Sequence, residues 1–147
     1  MKVRDIMSRP VRTVDMDRTV LELDRIFEKL EFHHVVVVDR GRPIGVVSDR
    51  DVLRSVSPFV GTMSERAQDE QLLKRRAHQI MTRPPITIGP DEPVAAAGRL
   101  MREQRVSCLV VVEPASASGD PERLVGIITL RDIADWAVEE LESRAAA

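Results

Sequence analysis

The chain has one cysteine, Cys108, no tyrosine and one tryptophan, Trp136, among its 147 residues. A single thiol excludes an intrachain disulfide and any cysteine-rich zinc cage, and it fits a reducing compartment, so the cytoplasm is the expected location. With three phenylalanines and one tryptophan, a row of stacking platforms for single-stranded nucleic acid is missing. A dominant charge sign is missing too: 22 Lys and Arg stand against 24 Asp and Glu, a formal net charge of −2. No broad field draws such a chain to nucleic acid or to an acidic membrane. No apolar run approaches the roughly 20 residues that cross a bilayer. The start, Met1-Lys2-Val3-Arg4-Asp5, places charges where a secretory leader needs an apolar stretch. Walker loop, Gly-x-Gly-x-x-Gly, His-Glu-x-x-His and Gly-x-Ser-x-Gly are all absent. The expectation is a non-catalytic protein without catalytic residues, resident metal or catalytic cofactor.

What the chain does have is repetition. Sliding it by 74 places Ile6-Met7-Ser8-Arg9-Pro10 over Ile80-Met81-Thr82-Arg83-Pro84, and the match runs without a gap to Val38 over Val112. After an insertion the offset becomes 81, and Gly45-Val46-Val47-Ser48-Asp49-Arg50-Asp51 lies over Gly126-Ile127-Ile128-Thr129-Leu130-Arg131-Asp132. Residues 1–56 and 77–147 are read as two repeats joined by a linker with a helix at 57–76. Neither copy is large enough to hold a good core alone, so the two are expected to pack face to face about a pseudo-two-fold axis.

Each copy has the same plan. Asp17 and Asp91 are placed to cap helices whose apolar residues recur at helical spacing: Val20, Leu23, Ile26, Phe27 and Leu30, then Val94, Ala97, Leu100 and Met101. The runs Val35 to Val38 and Leu109 to Val112 suit strands buried on both faces. A second strand follows, Ile44 to Val47 or Leu124 to Ile128, and a closing helix begins at Ser48 or Thr129. With an opening strand near Thr13 or Thr87 the unit is strand, helix, strand, strand, helix, a mixed α/β (α+β) fold. Between the copies, Ser57 to Gly61 reads as a loop and Ser64 to Arg76 as a helix whose basic end, Lys74-Arg75-Arg76, faces solvent.

The closing corner carries the chemistry. Ser48-x-x-Asp51 and Thr129-x-x-Asp132 are capping boxes in form, which a structural or adaptor protein would need just as much. Two features point further. A strand-to-helix corner turns free N–H groups outward, and Arg50 and Arg131 recur beside them although capping asks for no arginine. A carboxylate there is able to accept from both hydroxyls of a ribose. His33 and His34 are neighbours on a strand, point to opposite faces and do not chelate one ion together. Cys108 opens a buried strand and reads as a structural thiol.

The Asp5-Ile6-Met7 and Gln79-Ile80-Met81 openings, Thr13-Val14 and Thr87-Ile88, the His33-to-Asp39 strand and the paired Gly…Ser/Thr-x-Arg-Asp closings together resemble the paired cystathionine-β-synthase (CBS) domain family, or Bateman module. The resemblance implies tandem repeats with two clefts that take adenosine-containing ligands such as AMP, ADP, ATP or S-adenosylmethionine. It implies that Asp51 and Asp132 hold ribose hydroxyls, and that Ser48, Thr129, Arg50 and Arg131 face ribose or phosphate. Thr13-Val14 and Thr87-Ile88 would offer backbone groups to adenine, Ile44, Val46 and Ile127 would form apolar walls, and His33 would meet phosphate. The chain is then a regulatory module, expected as a homodimer. In copy two Ser107 and Cys108 replace His33 and His34, so the copies are expected to be unequal.

Overall fold

The computed structural model describes residues 1–56 and 71–147. In chain order its elements are α1 (Val3–Ile6), β1 (Thr13–Asp15), α2 (Val20–Lys29), β2 (His34–Asp39), β3 (Arg42–Ser48), α3 (Asp49–Ser55), α4 (Ala77–Ile80), β4 (Thr87–Ile88), α5 (Val94–Gln104), β5 (Cys108–Glu113), β6 (Arg123–Thr129) and α6 (Leu130–Ala145). Both copies follow the order read from the sequence after an added opening helix of four residues, and the strands form two three-stranded sheets, β1-β2-β3 and β4-β5-β6. The loop expected at Ser57 to Gly61 and most of the helix expected from Ser64 lie outside the described residues. No helix among the described residues is long and apolar enough to cross a membrane.

The continuous apolar runs form the central strands. β2 pairs in parallel with β1 and antiparallel with β3, and β5 does the same with β4 and β6. Val35, Val36 and Val37 are fully buried, as are Leu109, Val110 and Val111. A strand covered on both faces has no use for alternation, which is why these segments read as unbroken Val and Leu. The helices cover one face of each sheet: Val20 and Leu23 join Val14, Val35, Val37 and Val47 in one cluster, and Ala97 and Met101 join Ile88, Leu109, Val111 and Ile128 in the other.

The compact units do not follow the sequence repeats. One contains residues 12–85, the other residues 1–11 with 86–147. The opening segment of copy two therefore completes the body of copy one, where Ala77 is buried in the core and Thr82 exchanges both backbone hydrogen bonds with Val46, at 2.9 and 3.1 Å. In the other unit Val3 is buried in the core and Ser8 makes the same exchange with Ile127, at 2.8 and 3.1 Å. Each opening peptide thus occupies the free edge of β3 or β6. A glycine makes room beside it: a Cβ on Gly45 would run into the Met81 side chain, and one on Gly126 into that of Met7. The repeated Ile-Met openings and the repeated glycines are two halves of one contact.

Two capping assignments are corrected. Thr19, not Asp17, caps α2, because Thr19 and Glu22 form a reciprocal capping box. Pro93 stands at the start of α5 without any side-chain cap. Asp17 and Asp91 instead bind the opening peptides: Asp17 pairs with Arg76 at 2.9 Å, and Asp91 takes Lys2 at 2.9 Å and Arg4 at 2.6 Å. Arg76, read as part of a solvated helix end, precedes α4 and belongs to this anchor.

Candidate functional site

The sheet register lines up one residue from each element across the face turned away from the helices. Thr13 pairs with Val36, Val36 with Val46, and Val46 bridges Thr82; in the other unit the row is Thr87, Val110, Ile127 and Ser8. Side chains in register share a face, so the hydroxyls of Thr13 and Thr82, or of Thr87 and Ser8, flank an apolar floor of Val36 and Val46, or Val110 and Ile127. Two positions further along β3 and β6, on the same face, stand Ser48 and Thr129. Val14 and Ile88 turn the other way and are core residues. Ile44, expected as a wall of the site, packs against the helix-side core, because a bulge between Val37 and Val38 breaks the alternation just before it.

At the corner both capping boxes are formed. Asp51 accepts from the Ser48 backbone N–H through Oδ2 at 2.8 Å, and the Ser48 hydroxyl accepts from the Asp51 N–H at 3.1 Å. Oδ1 of Asp51 has no partner among the described residues. Asp132 is held harder: its Oδ2 accepts from the backbone and the hydroxyl of Thr129, at 2.7 and 2.8 Å, and its Oδ1 lies 3.4 Å from the Ser8 hydroxyl. A carboxylate has about four acceptor directions, so each keeps capacity beyond the cap. Arg50 and Arg131 are exposed and make no ion pair among the described residues.

The expectation of free N–H groups at this corner fails in copy one. The first three amides of α3 are all taken: Asp49 N–H donates to the His33 carbonyl at 3.0 Å, Arg50 N–H to its neighbour Asp49 Oδ1 at 2.8 Å, and Asp51 N–H to Ser48. Anion contacts there fall to side chains. In copy two Leu130 N–H reaches the Ser107 carbonyl at 3.0 Å, but Leu130 has no carboxylate to offer Arg131 N–H. The copies are unequal as expected, with more detail than the histidines alone disclose. His33 lies 2.9 Å from Asp49, and Ser107 and Leu130 replace that pair in copy two.

Cys108 stands opposite Thr129 in the register, where copy one has His34 opposite Ser48. Burial, with a further contribution from the Asp132 charge, pushes the Cys108 thiol up to about 12, so it stays protonated and unreactive. Ser8 and Thr82 join the candidate row, and sequence reading missed them. The signal was present in the repeat, since both copies place a hydroxyl directly after Ile-Met. What the pattern does not carry is the strand edge that this hydroxyl joins.

Comparison with known proteins agrees with the fold. The CBS domain family model matches residues 3–58 and 77–139. A CBS domain-containing protein of Dictyostelium discoideum is 32% identical over 145 residues, which cover 95% of this chain and 93% of the relative. An L-aspartate semialdehyde sulfurtransferase of Methanocaldococcus jannaschii is 30% identical over 132 residues, but the match spans only 22% of that enzyme. Among solved structures, a CBS domain pair in complex with 5′-methylthioadenosine and S-adenosyl-L-methionine superposes with a TM-score of 0.75 at 27% identity, covering 95% of this chain and 98% of the other. The cytosolic domain of the Mg2+ channel MgtE in complex with ATP gives a TM-score of 0.64 at 26% identity, covering 91% of this chain and 48% of that one.

Proposed function

Since this chain belongs to the CBS domain family and carries two of its repeats, we propose that it is a non-catalytic regulatory module that binds an adenosine-containing ligand. The observation that carries the reading is the corner carboxylate. Capping occupies Oδ2 of Asp51 and leaves Oδ1 without a partner among the described residues, with an arginine one residue before it that makes no ion pair among them; at Asp132 the cap and the arginine recur, and Oδ1 meets only the Ser8 hydroxyl, at 3.4 Å. Asp51 and Asp132 would take ribose hydroxyls, with Ser48 and Thr129 beside them. Arg50 and Arg131, joined by His33 in copy one, would meet phosphate or another polar tail. Adenine would lie against Val46 or Ile127, with the backbone of Thr13-Val14 or Thr87-Ile88 reading its edge and Ser8 and Thr82 closing the row. The ligands named for two related structures, S-adenosyl-L-methionine with 5′-methylthioadenosine and ATP, share the adenosine group.

Regulation follows if the ligand favours one arrangement of the chain over another, because equal affinity for both shifts nothing. We assign the protein to the cytoplasm as a homodimer, with the exposed apolar positions Leu130, Val138 and Leu141 of α6 as the surface that joins the copies. The competing reading, a structural or adaptor protein, is favoured by one fact: Ser48 with Asp51 and Thr129 with Asp132 form complete capping boxes.

Thermal melting separates the two readings. Against S-adenosylmethionine, 5′-methylthioadenosine, AMP, ADP and ATP, at least one ligand at a hundred times its dissociation constant should add about 2.7 kcal/mol, or roughly 5–10 °C. A melting point unmoved by all five at millimolar concentration leaves the adaptor reading standing.

A further inference from the structure

The hairpin end of the β5–β6 pair, at the opposite end of β6 from Asp132, borders a cavity of about 300 Å3. Arg4, Arg9, Arg123 and Glu113 line it together with Met7, Leu124 and Val125, of which Met7 and Val125 also pack against the core. Every one of these residues belongs to the unit formed by residues 1–11 and 86–147. Cations outnumber the acids that hold them. Asp91 takes both Lys2 and Arg4, Glu113 takes Arg123 through one oxygen, and Arg9 has no ion pair among the described residues. Arg4 binds its carboxylate through Nη2 alone and keeps further N–H donors. Three guanidinium groups at one cavity match a doubly charged phosphate, since the planar fork donates to two phosphate oxygens at once.

The repeat offers a built-in comparison. In the unit of residues 12–85 the positions that correspond to Arg9, Arg123 and Glu113 are Arg83, Arg42 and Asp39, but His78 stands where the cavity's own unit has Arg4. The third guanidinium is therefore particular to one unit. We propose that this cavity binds the phosphate group of a small phosphorylated molecule through Arg4, Arg9 and Arg123. The site is separate from the corner at Asp132 and does not depend on the adenosine reading.

The test is an amide NMR titration of the full chain with phenyl phosphate. Saturable shifts at Met7, Leu124 and Val125 are expected, with inorganic phosphate competing at the same residues. Arg9→Ala should weaken phenyl phosphate by about tenfold, and Arg9→Lys, which keeps the charge but loses the fork, by less. Arg83→Ala and Asp132→Asn should leave the shifts unchanged. The proposal is overturned by linear, unsaturable shifts, by undiminished binding to Arg9→Ala, or by a loss on Asp132→Asn that would merge the cavity with the adenosine corner.

Discussion

At the scale of single residues, the two motif glycines show how the repeat encodes contact. Gly45 and Gly126 lie against the methionine of the opening peptide, and neither has a positive φ; it is space, not backbone freedom, that they supply. The two sites differ in what else is near. A Cβ at Gly45 would also stand 3.0 Å from the Thr82 carbonyl oxygen, whereas at Gly126 the Ser8 carbonyl is 3.3 Å away. A methionine tail is able to swing aside, but a paired backbone carbonyl is not. Gly45→Ala should therefore cost about 1–3 kcal/mol and Gly126→Ala measurably less, with denaturant unfolding as the check. Equal losses would mean that the methionines, and not the carbonyls, set the cost. The capping pairs at Ser48 and Thr129 were legible because three residues of spacing define them. Asp17 and Asp91 were misread for a related reason: an acid ahead of an apolar helix looks like a cap, and only the fold discloses the cations that claim it.

At the scale of elements, strands and helices were legible wherever burial is periodic or continuous. β2 and β5 announce themselves by unbroken valine and leucine, and α2 and α5 by their apolar stripes. The attachment of α1 and α4 was not legible, because a four-residue helix has no period of its own to read. Its anchor is electrostatic as well as apolar. Hydrogen bonds from Lys2 and then Arg4 hold the Asp91 carboxyl below its ordinary value. A carboxyl lowered in the folded state binds fewer protons than in the unfolded chain above the folded value. Its contribution is thus complete above the ordinary carboxylate range and is lost as pH falls through that range to the lowered value. The pair is exposed, so the effect is small and screened by salt. Hydrogen exchange at the Met7 amide, which donates to the Val3 carbonyl, should quicken relative to the core as the solution is acidified below about pH 4. Asp91→Asn should show the faster exchange already at neutral pH and lose that acid dependence. An unaltered Met7 rate in the variant would assign the anchoring of α1 to Val3 alone.

At the scale of the whole chain, the duplication was plain from sequence, and the exchange of opening peptides between the copies was not. Periodicity says which face a segment buries and nothing about which copy supplies the other side. The consequence is a cutting rule. Residues 12–85 retain Ala77, Met81 and the Thr82 bridge, and should give a dispersed amide spectrum on their own. Residues 1–74, cut at the repeat length, lack them and should give a collapsed one. The reverse result would mean that the opening peptides are ornaments of the fold. The proposed function rests on carboxylates that serve a cap and a ligand together, and Asn separates the two duties, since its carbonyl still accepts from the Ser48 or Thr129 amide but carries no charge. Calorimetric titration of S-adenosylmethionine and ATP into the native chain and into the Asp51→Asn, Asp132→Asn double variant is the most direct measurement. The account predicts saturable binding of at least one ligand, weakened by about ten- to a hundredfold in a variant that still folds. Undiminished affinity in that variant, or no heat from either ligand with the native chain, would contradict it.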